Sequence, residues 1–341
     1  MNEFLYNILA WIQSWVGNWG WAMVVFTIMI RLVLTPLDIK SRVSMRKTQK
    51  LQPQLQALQK KYANDKEKLN TKTAELYKKA HVNPMSSCLP LLLTWPILIA
   101  VFGAMRMVAN KELLMQLTQL LNNEVPTLEK WLWIKNLWMP DSLFAASLPD
   151  LNTLRVIPTD QWVTWFNGLD QSNLPVLIRD LGLTADSFSQ ANLAATLQAM
   201  IGTLKEPGAI FQNAAYAEAI AIRPGWTFNL LITQFSLVNS FNGWLLLPVL
   251  SAVSQIAMTK LMGGTQAQQP AAQGAGAGTG KFMQYFFPIF SMIICLSYSA
   301  AFALYWVAGN LVVMAQTFAI NKYLDKKEAA AGDVVGEGSV K

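Results

Sequence analysis

The chain has 341 residues, 53% of them hydrophobic and 14% charged, with 13 Trp and 16 Phe; soluble domains carry about 25% charged residues, so a pair of soluble domains is excluded and a multi-span helical membrane protein is predicted. One histidine, His81, and two cysteines in apolar runs, Cys88 and Cys295, exclude His-cluster metal sites, a disulfide framework and most His-based catalysis. The net charge of +7 is unevenly placed, and its placement orients the chain.

Residues 1–17 set Phe4, Ile8, Ile12 and Trp15 at helical spacing, with Trp19 continuing the stripe, which predicts an amphipathic helix lying in the membrane interface. Glu3 and the lack of Lys or Arg do not fit a signal peptide. Residues 18–37, NWGWAMVVFTIMIRLVLTPL, are the first span; about twenty residues cross a hydrocarbon core of about 30 Å. Its one full charge is Arg31, five residues before Pro36. A buried arginine costs about 2.5–3.5 kcal/mol on insertion scales, less near a helix end. Two readings stay open at this point: a functional charge, or a side chain snorkelling to the nearer headgroups.

Residues 38–84 carry twelve basic and four acidic residues, which places them in the cytosol and the N-terminus outside. Leu51, Leu55, Leu58 and Tyr62 form one helical stripe, and Leu69, Leu76 and Ala80 another, with Asn64–Asp65 as the turn. A cytosolic helical hairpin with a narrow apolar seam is predicted, its lysine face suited to anionic lipids. Residues 86–108 are the second span, interrupted by Pro90 and Pro96. Residues 109–242 are extracytosolic: from 109 to 241 there are seven basic and eleven acidic residues, the reverse of the hairpin. Within them 131–141 is Trp-rich and suits the outer interface, and 142–225 reads as a small, mixed, mostly helical insert. Residues 226–242 alternate polar and apolar and are not read as a span.

Residues 243–262 are the third span, and 263–281 a flexible cytosolic Gly/Ala/Gln linker. The run AGAGTGKF is no phosphate loop, having Ala275 where Gly and Phe282 where Ser or Thr is required. Residues 282–298 and 300–321 are the fourth and fifth spans, and 322–341 a disordered cytosolic tail. The fold class is thus an all-α polytopic membrane protein of five transmembrane helices, N-terminus outside and C-terminus inside, with a cytosolic hairpin and an extracytosolic insert. The spans hold Thr27, Thr94, Ser254, Gln255, Ser291, Asn310 and Gln316 but no Asp or Glu. Each alone is more often a helix–helix contact; together with an unneutralised Arg31 they predict a wet, electropositive cavity open to the cytosol. No H-E-x-x-H or G-x-S-x-G motif is present, so neither an enzyme nor a cofactor is expected.

Five blocks carry a resemblance to the YidC-type membrane protein insertases of the bacterial inner membrane. They are NWGWAMVVFTIMIRLVLTPL (18–37), residues 51–102, WLWIKNLWMPDS (131–142), LLLPVLSAVSQIAMTKLM (245–262) and residues 281–324, which contain A-L-Y-W. The resemblance implies a hydrophilic groove, open to cytosol and lipid and closed outside, in which Arg31 matches the groove arginine and Gln255, Tyr305 and Trp306 match lining positions. Thr27 and Thr94 are added as groove candidates on the polar character of the spans. It also implies nascent membrane proteins as substrates, ribosomes and the Sec translocon as partners, and no specific nucleic acid. Two departures stand out: the insert at about 142–241 falls outside the resemblance, and the short tail turns acidic where many members carry a basic ribosome-contacting tail. Two other classes remain: a small-anion channel or transporter with Arg31 as its selectivity charge, and a receptor-like module with the insert as its ligand domain.

Overall fold

A computed structural model describes residues 2–80, 89–122, 124–205, 224–230, 233–238, 241–261 and 278–337. His81, Cys88, the end of the expected hairpin at 81–84, part of the insert (206–223) and most of the expected linker at 263–281 lie outside the described residues. The helices are α1 (Asn2–Val16), α2 (Trp19–Lys50), α3 (Gln52–Lys61), α4 (Lys66–Lys79), α5 (Leu89–Leu121), α6 (Leu151–Leu154), α7 (Thr159–Asn167), α8 (Val176–Asp180), α9 (Leu193–Lys205), α10 (Leu246–Leu261), α11 (Gly278–Ser297) and α12 (Ala300–Glu337). A 3-10 turn spans Ala185–Phe188, and β1 (Pro224–Leu230) pairs antiparallel with β2 (Thr233–Val238). Among the described residues α2 and the Ala300–Lys327 part of α12 are long and apolar enough to cross a membrane by length and composition, whereas Leu246–Leu261 and Tyr285–Ser297 are shorter apolar helices.

Several boundaries differ from the sequence reading. Helix α2 does not stop near Pro36 but runs on to Lys50, taking the first part of the expected hairpin with it. Pro36 removes the N–H that the Leu32 carbonyl would accept, but Thr35 Oγ1 bonds back to the Arg31 carbonyl (2.9 Å) and Gln316 Nε2 bonds both (2.9 and 2.8 Å), shoring up that turn. Residues 322–337, expected to be disordered, continue α12. They are rich in Ala, Lys and Glu, good helix formers, and Arg46 holds their start through Asn321 and Asp325. The expected linker gives way to helix from Gly278. The all-α expectation needs one addition, since the alternation at 226–242 is that of a β-hairpin, Thr227 facing Ser236 and Phe228 facing Phe235 in register. In α1 Leu9 and Ile12 are buried, while Phe4, Trp11 and Trp15 are exposed.

The chain divides into two compact units. The first comprises Met1–Val24, Phe102–Ala252 and Phe290–Val307. Within its apolar core lies a buried polar network. Buried Asn242 donates through Nδ2 to the carbonyls of Asn136 (2.8 Å), Met139 (3.1 Å) and Pro140 (2.9 Å), and its Oδ1 accepts from the Asn136 N–H (2.8 Å). Asn136 Nδ2 in turn reaches Gln116 Oε1 (2.9 Å) and the Ser147 carbonyl (2.7 Å). Asp141, also buried, accepts from the N–H groups of Leu245 (3.1 Å) and Leu247 (2.7 Å), capping the start of α10, and from Trp133 Nε1 (3.2 Å). Gly243 is required here because a Cβ would overlap Asp141 Oδ1. The start of α12 is tied in by the Ala300 and Ala301 N–H groups on the carbonyls of Met139 and Leu137 (both 2.9 Å).

The insert is an excursion with closed ends: Ala146 bridges Phe241, and the Asn242 N–H reaches the Ala145 carbonyl at 2.9 Å. Its core is aromatic, with Trp162 stacked on Phe188 (5.6 Å between centroids) and Trp165 and Phe166 against the same ring. It rests on the end of α5 through Asn110–Gln161 (2.9 Å) and Trp165–Thr118 (2.8 Å) hydrogen bonds.

The second unit comprises Val25–Val101, Val253–Ile289 and Ala308–Lys341. In it α3 and α4 form an antiparallel pair joined at Tyr62–Asp65, Asp65 Oδ1 capping α4 at the Lys68 N–H (3.0 Å). Leu55 is the buried residue of α3, and α4 has none. With so little apolar burial the pair opens at small cost. Amide exchange over 52–79 is expected to run about 100-fold faster than over 247–254 in α10, a gap of about 2.8 kcal/mol in opening free energy. Equal protection by mass-spectrometric exchange would show a docked, rigid pair.

Candidate functional site

The site is a polar seam in the second unit, built from one face each of α2, α10 and α12. On α2, Arg31, Asp38, Arg42 and Arg46 follow one another at intervals of seven, four and four residues. At 3.6 residues per turn these intervals keep all four on one side of a continuous helix. Opposite them on α12 stand Gly309, Asn310, Gln316, Thr317, Asn321 and Asp325.

The seam is dressed differently along its length. At the Arg46 end its cations have partners: Arg46 pairs with Asp325 at 2.7 Å and bonds the Asn321 carbonyl (3.1 Å) and side chain (3.3 Å), and Arg42 donates to Thr317 Oγ1. In the middle Gln316 clasps Thr35 and the Arg31 carbonyl. At the Arg31 end it is open. The guanidinium is half-buried and, among the described residues, has no hydrogen-bond or ion-pair partner. A Cβ placed on Gly309 would stand 3.8 Å from Arg31 Nη2 and 3.9 Å from Thr27 Cγ2, so any longer side chain there would reach the guanidinium. The next residue, Asn310, donates through Nδ2 to Ser254 Oγ (3.0 Å) and Gln255 Oε1 (3.3 Å).

Asp38 corrects the picture of an arginine without a carboxylate. It is half-buried, with the Arg31 and Arg42 charges acting on it through space. By position Asp38 looks like one more loop acid; only the continuation of α2 past Pro36 puts it in line with Arg31.

Of the sequence-derived candidates, Thr27, Arg31 and Gln255 belong to this seam, with Thr27 buried. Thr94 lies on the part of α5 whose side chains are outside the described residues. Tyr305 and Trp306 belong to the first unit, where Trp306 continues the aromatic chain Phe102–Phe302–Trp306 (5.1 and 5.8 Å) and Tyr305 is buried. Among the described residues no group of three or more His, Cys, Asp or Glu side chains is placed to hold a metal ion.

The family described as "60Kd inner membrane protein" matches residues 11–178 and 197–327. Only 179–196 fall between the matched stretches, so most of the insert at about 142–241 lies within the family match. The chain is 45% identical over 106 residues to a protein of Fusobacterium nucleatum named "Membrane protein insertase YidC", covering 31% of this chain and 52% of that one. It is 45% identical over 98 residues to a protein of that name from Wolinella succinogenes, covering 29% and 18%, and 35% identical over 144 residues to one from Helicobacter pylori, covering 42% and 24%. The aligned stretches thus span about half or less of the length of these relatives.

Proposed function

Because the chain belongs to the 60Kd inner membrane protein family, we propose that it is a membrane protein insertase whose polar seam receives the short polar or acidic flank of a nascent membrane protein. The observation that carries this reading is the half-buried Arg31, left without a direct partner among the described residues beside Gly309 and the Asn310–Ser254–Gln255 cluster. A charge in such a place has lost part of its hydration and gained no ion pair, so an anionic guest can supply what the chain does not. The flank enters towards Arg31 while the adjoining apolar segment slides into lipid. The groove lowers the cost of polar groups part-way across, and apolar burial drives the rest. No nucleotide is required.

In this reading spans 18–37, 86–108, 243–262, 282–298 and 300–321 enclose a groove open to the cytosol. Thr94, Tyr305 and Trp306 complete its lining with Thr27, Arg31 and Gln255. The lysine face of α3 and α4 meets anionic headgroups, and ribosomes and the Sec translocon deliver substrates. The small-anion channel has no observation in its favour. Growth of an insertase-depleted bacterium on this chain is the test, with failure of a well-expressed protein counting against the proposal. Orientation is checked on the same cells: a cysteine at position 170 should be labelled from outside and one at position 65 should not, and the opposite pattern would overturn the five-span arrangement.

A further inference from the structure

We infer that Asp38 determines which flanks the groove accepts, its carboxylate, set on the Arg31 face of α2 one turn before Arg42, favouring a flank whose acidic residue is followed by a basic one. The inference rests on the insertase reading and deepens it.

Spacing gives the geometry. Helix α2 is continuous from Trp19 to Lys50, so seven residues set Asp38 about 10 Å from Arg31 along the axis, and four set Arg42 about 6 Å further on. Two of the other charges on this face have direct partners: Arg46 is matched by Asp325, and Arg42 donates to Thr317. Asp38 is different. Among the described residues it accepts no hydrogen bond and forms no ion pair, and it acts on Arg31 and Arg42 through space only. It caps no helix end, since it lies inside α2. A half-buried carboxylate that stabilises nothing by contact is a cost to the fold, and what it does is shape the field along the seam.

That field alternates in sign: Arg31 positive, Asp38 negative, Arg42 positive. A flank entering from the Arg46 end meets Asp38 before Arg31. A single acidic residue that reaches Arg31 is attracted, but a second acidic residue beside Asp38 is repelled. An extended chain advances about 3.3–3.6 Å per residue, so a gap of about 10 Å corresponds to about three residues. The complementary flank carries an acid and, about three residues behind it, a lysine or arginine.

The test is insertion into liposomes by the full chain of substrates identical except for three flanks: acid with acid, acid with neutral, and acid with lysine three residues apart. For the wild type at low salt, acid–lysine should insert about threefold better than acid–acid. Asp38→Asn should bring that ratio to about one or below, and Asp38→Glu should restore the preference. Equal insertion of acid–acid and acid–lysine by the wild type overturns the inference without any variant, as does a ratio that Asp38→Asn leaves untouched. Failure of the wild type to insert any of the three overturns the insertase reading and this inference with it, a result easily told from insertion without flank preference.

Discussion

Asn242→Ala is expected to lower the unfolding free energy of the first unit by about 3–5 kcal/mol, since each buried polar group stripped of its partner costs about 1–3 kcal/mol. The side chain is fully buried and engages three carbonyls and one N–H of residues 136–140; alanine leaves all four without it. Asn242→Asp should be no milder, because a carboxylate can accept from the Asn136 N–H but repels the carbonyls of Asn136, Met139 and Pro140. Thermal melting of the detergent-solubilised protein is the measurement. Excision of 149–239 with a short Gly-Ser joint makes the contrast, because it removes far more chain but keeps Asn136, Asp141 and Asn242, and the bridged ends at Ala146 and Phe241 already lie side by side. The excised protein should melt closer to wild type than Asn242→Ala does; the reverse order would make the insert, not the asparagine, the structural element.

Arg31→Ala is expected to reduce insertion of an acidic-flank substrate by about tenfold or more, equivalent to about 1.4 kcal/mol, and that of a neutral-flank substrate much less. The Coulomb energy of a contact pair at an effective dielectric of about 20 is about 4 kcal/mol at 4 Å, an upper scale that hydration and the opposing charge of Asp38 reduce. Arg31→Lys should retain much of the activity, and rising salt should narrow the difference between flanks. The assay pairs substrates differing only in flank charge. Equal losses for acidic and neutral flanks would leave Arg31 as a hydration or packing element.

How much of this was legible in the sequence depended on whether the deciding contact was local. The helix at 246–261 follows from a predominantly apolar run, and Arg31 stands out as the one full charge in its span. The end of α2 did not follow, because Pro36 is a local stop signal that Gln316 offsets from 280 residues away. Asp38 was miscounted for the same reason, as a loop acid rather than a member of the Arg31 face. The tail was misread from its Gly and acid content, although Arg46 anchors its start. Alternation at 226–242 was seen, but period two is a strand signal only when a partner strand is supplied. The polar hub was invisible because Asn136 and Asn242 are 106 residues apart, and nothing in either neighbourhood marks it.

The closed ends of the insert also set a clock on synthesis. Residues 136–140 leave the ribosome about a hundred residues ahead of Asn242, which at about 5–20 residues per second is a wait of about 5–20 s. During that interval the carbonyls of Asn136, Met139 and Pro140 must be satisfied by water or by the lipid headgroup region. The first unit therefore closes only after the excursion between Ala146 and Phe241 is complete. If that excursion were still a random coil, bringing its ends together would cost about 4 kcal/mol of chain entropy; an insert that folds first arrives with its ends already adjacent, and delivers Asn242 to its partners as a late-fastening catch.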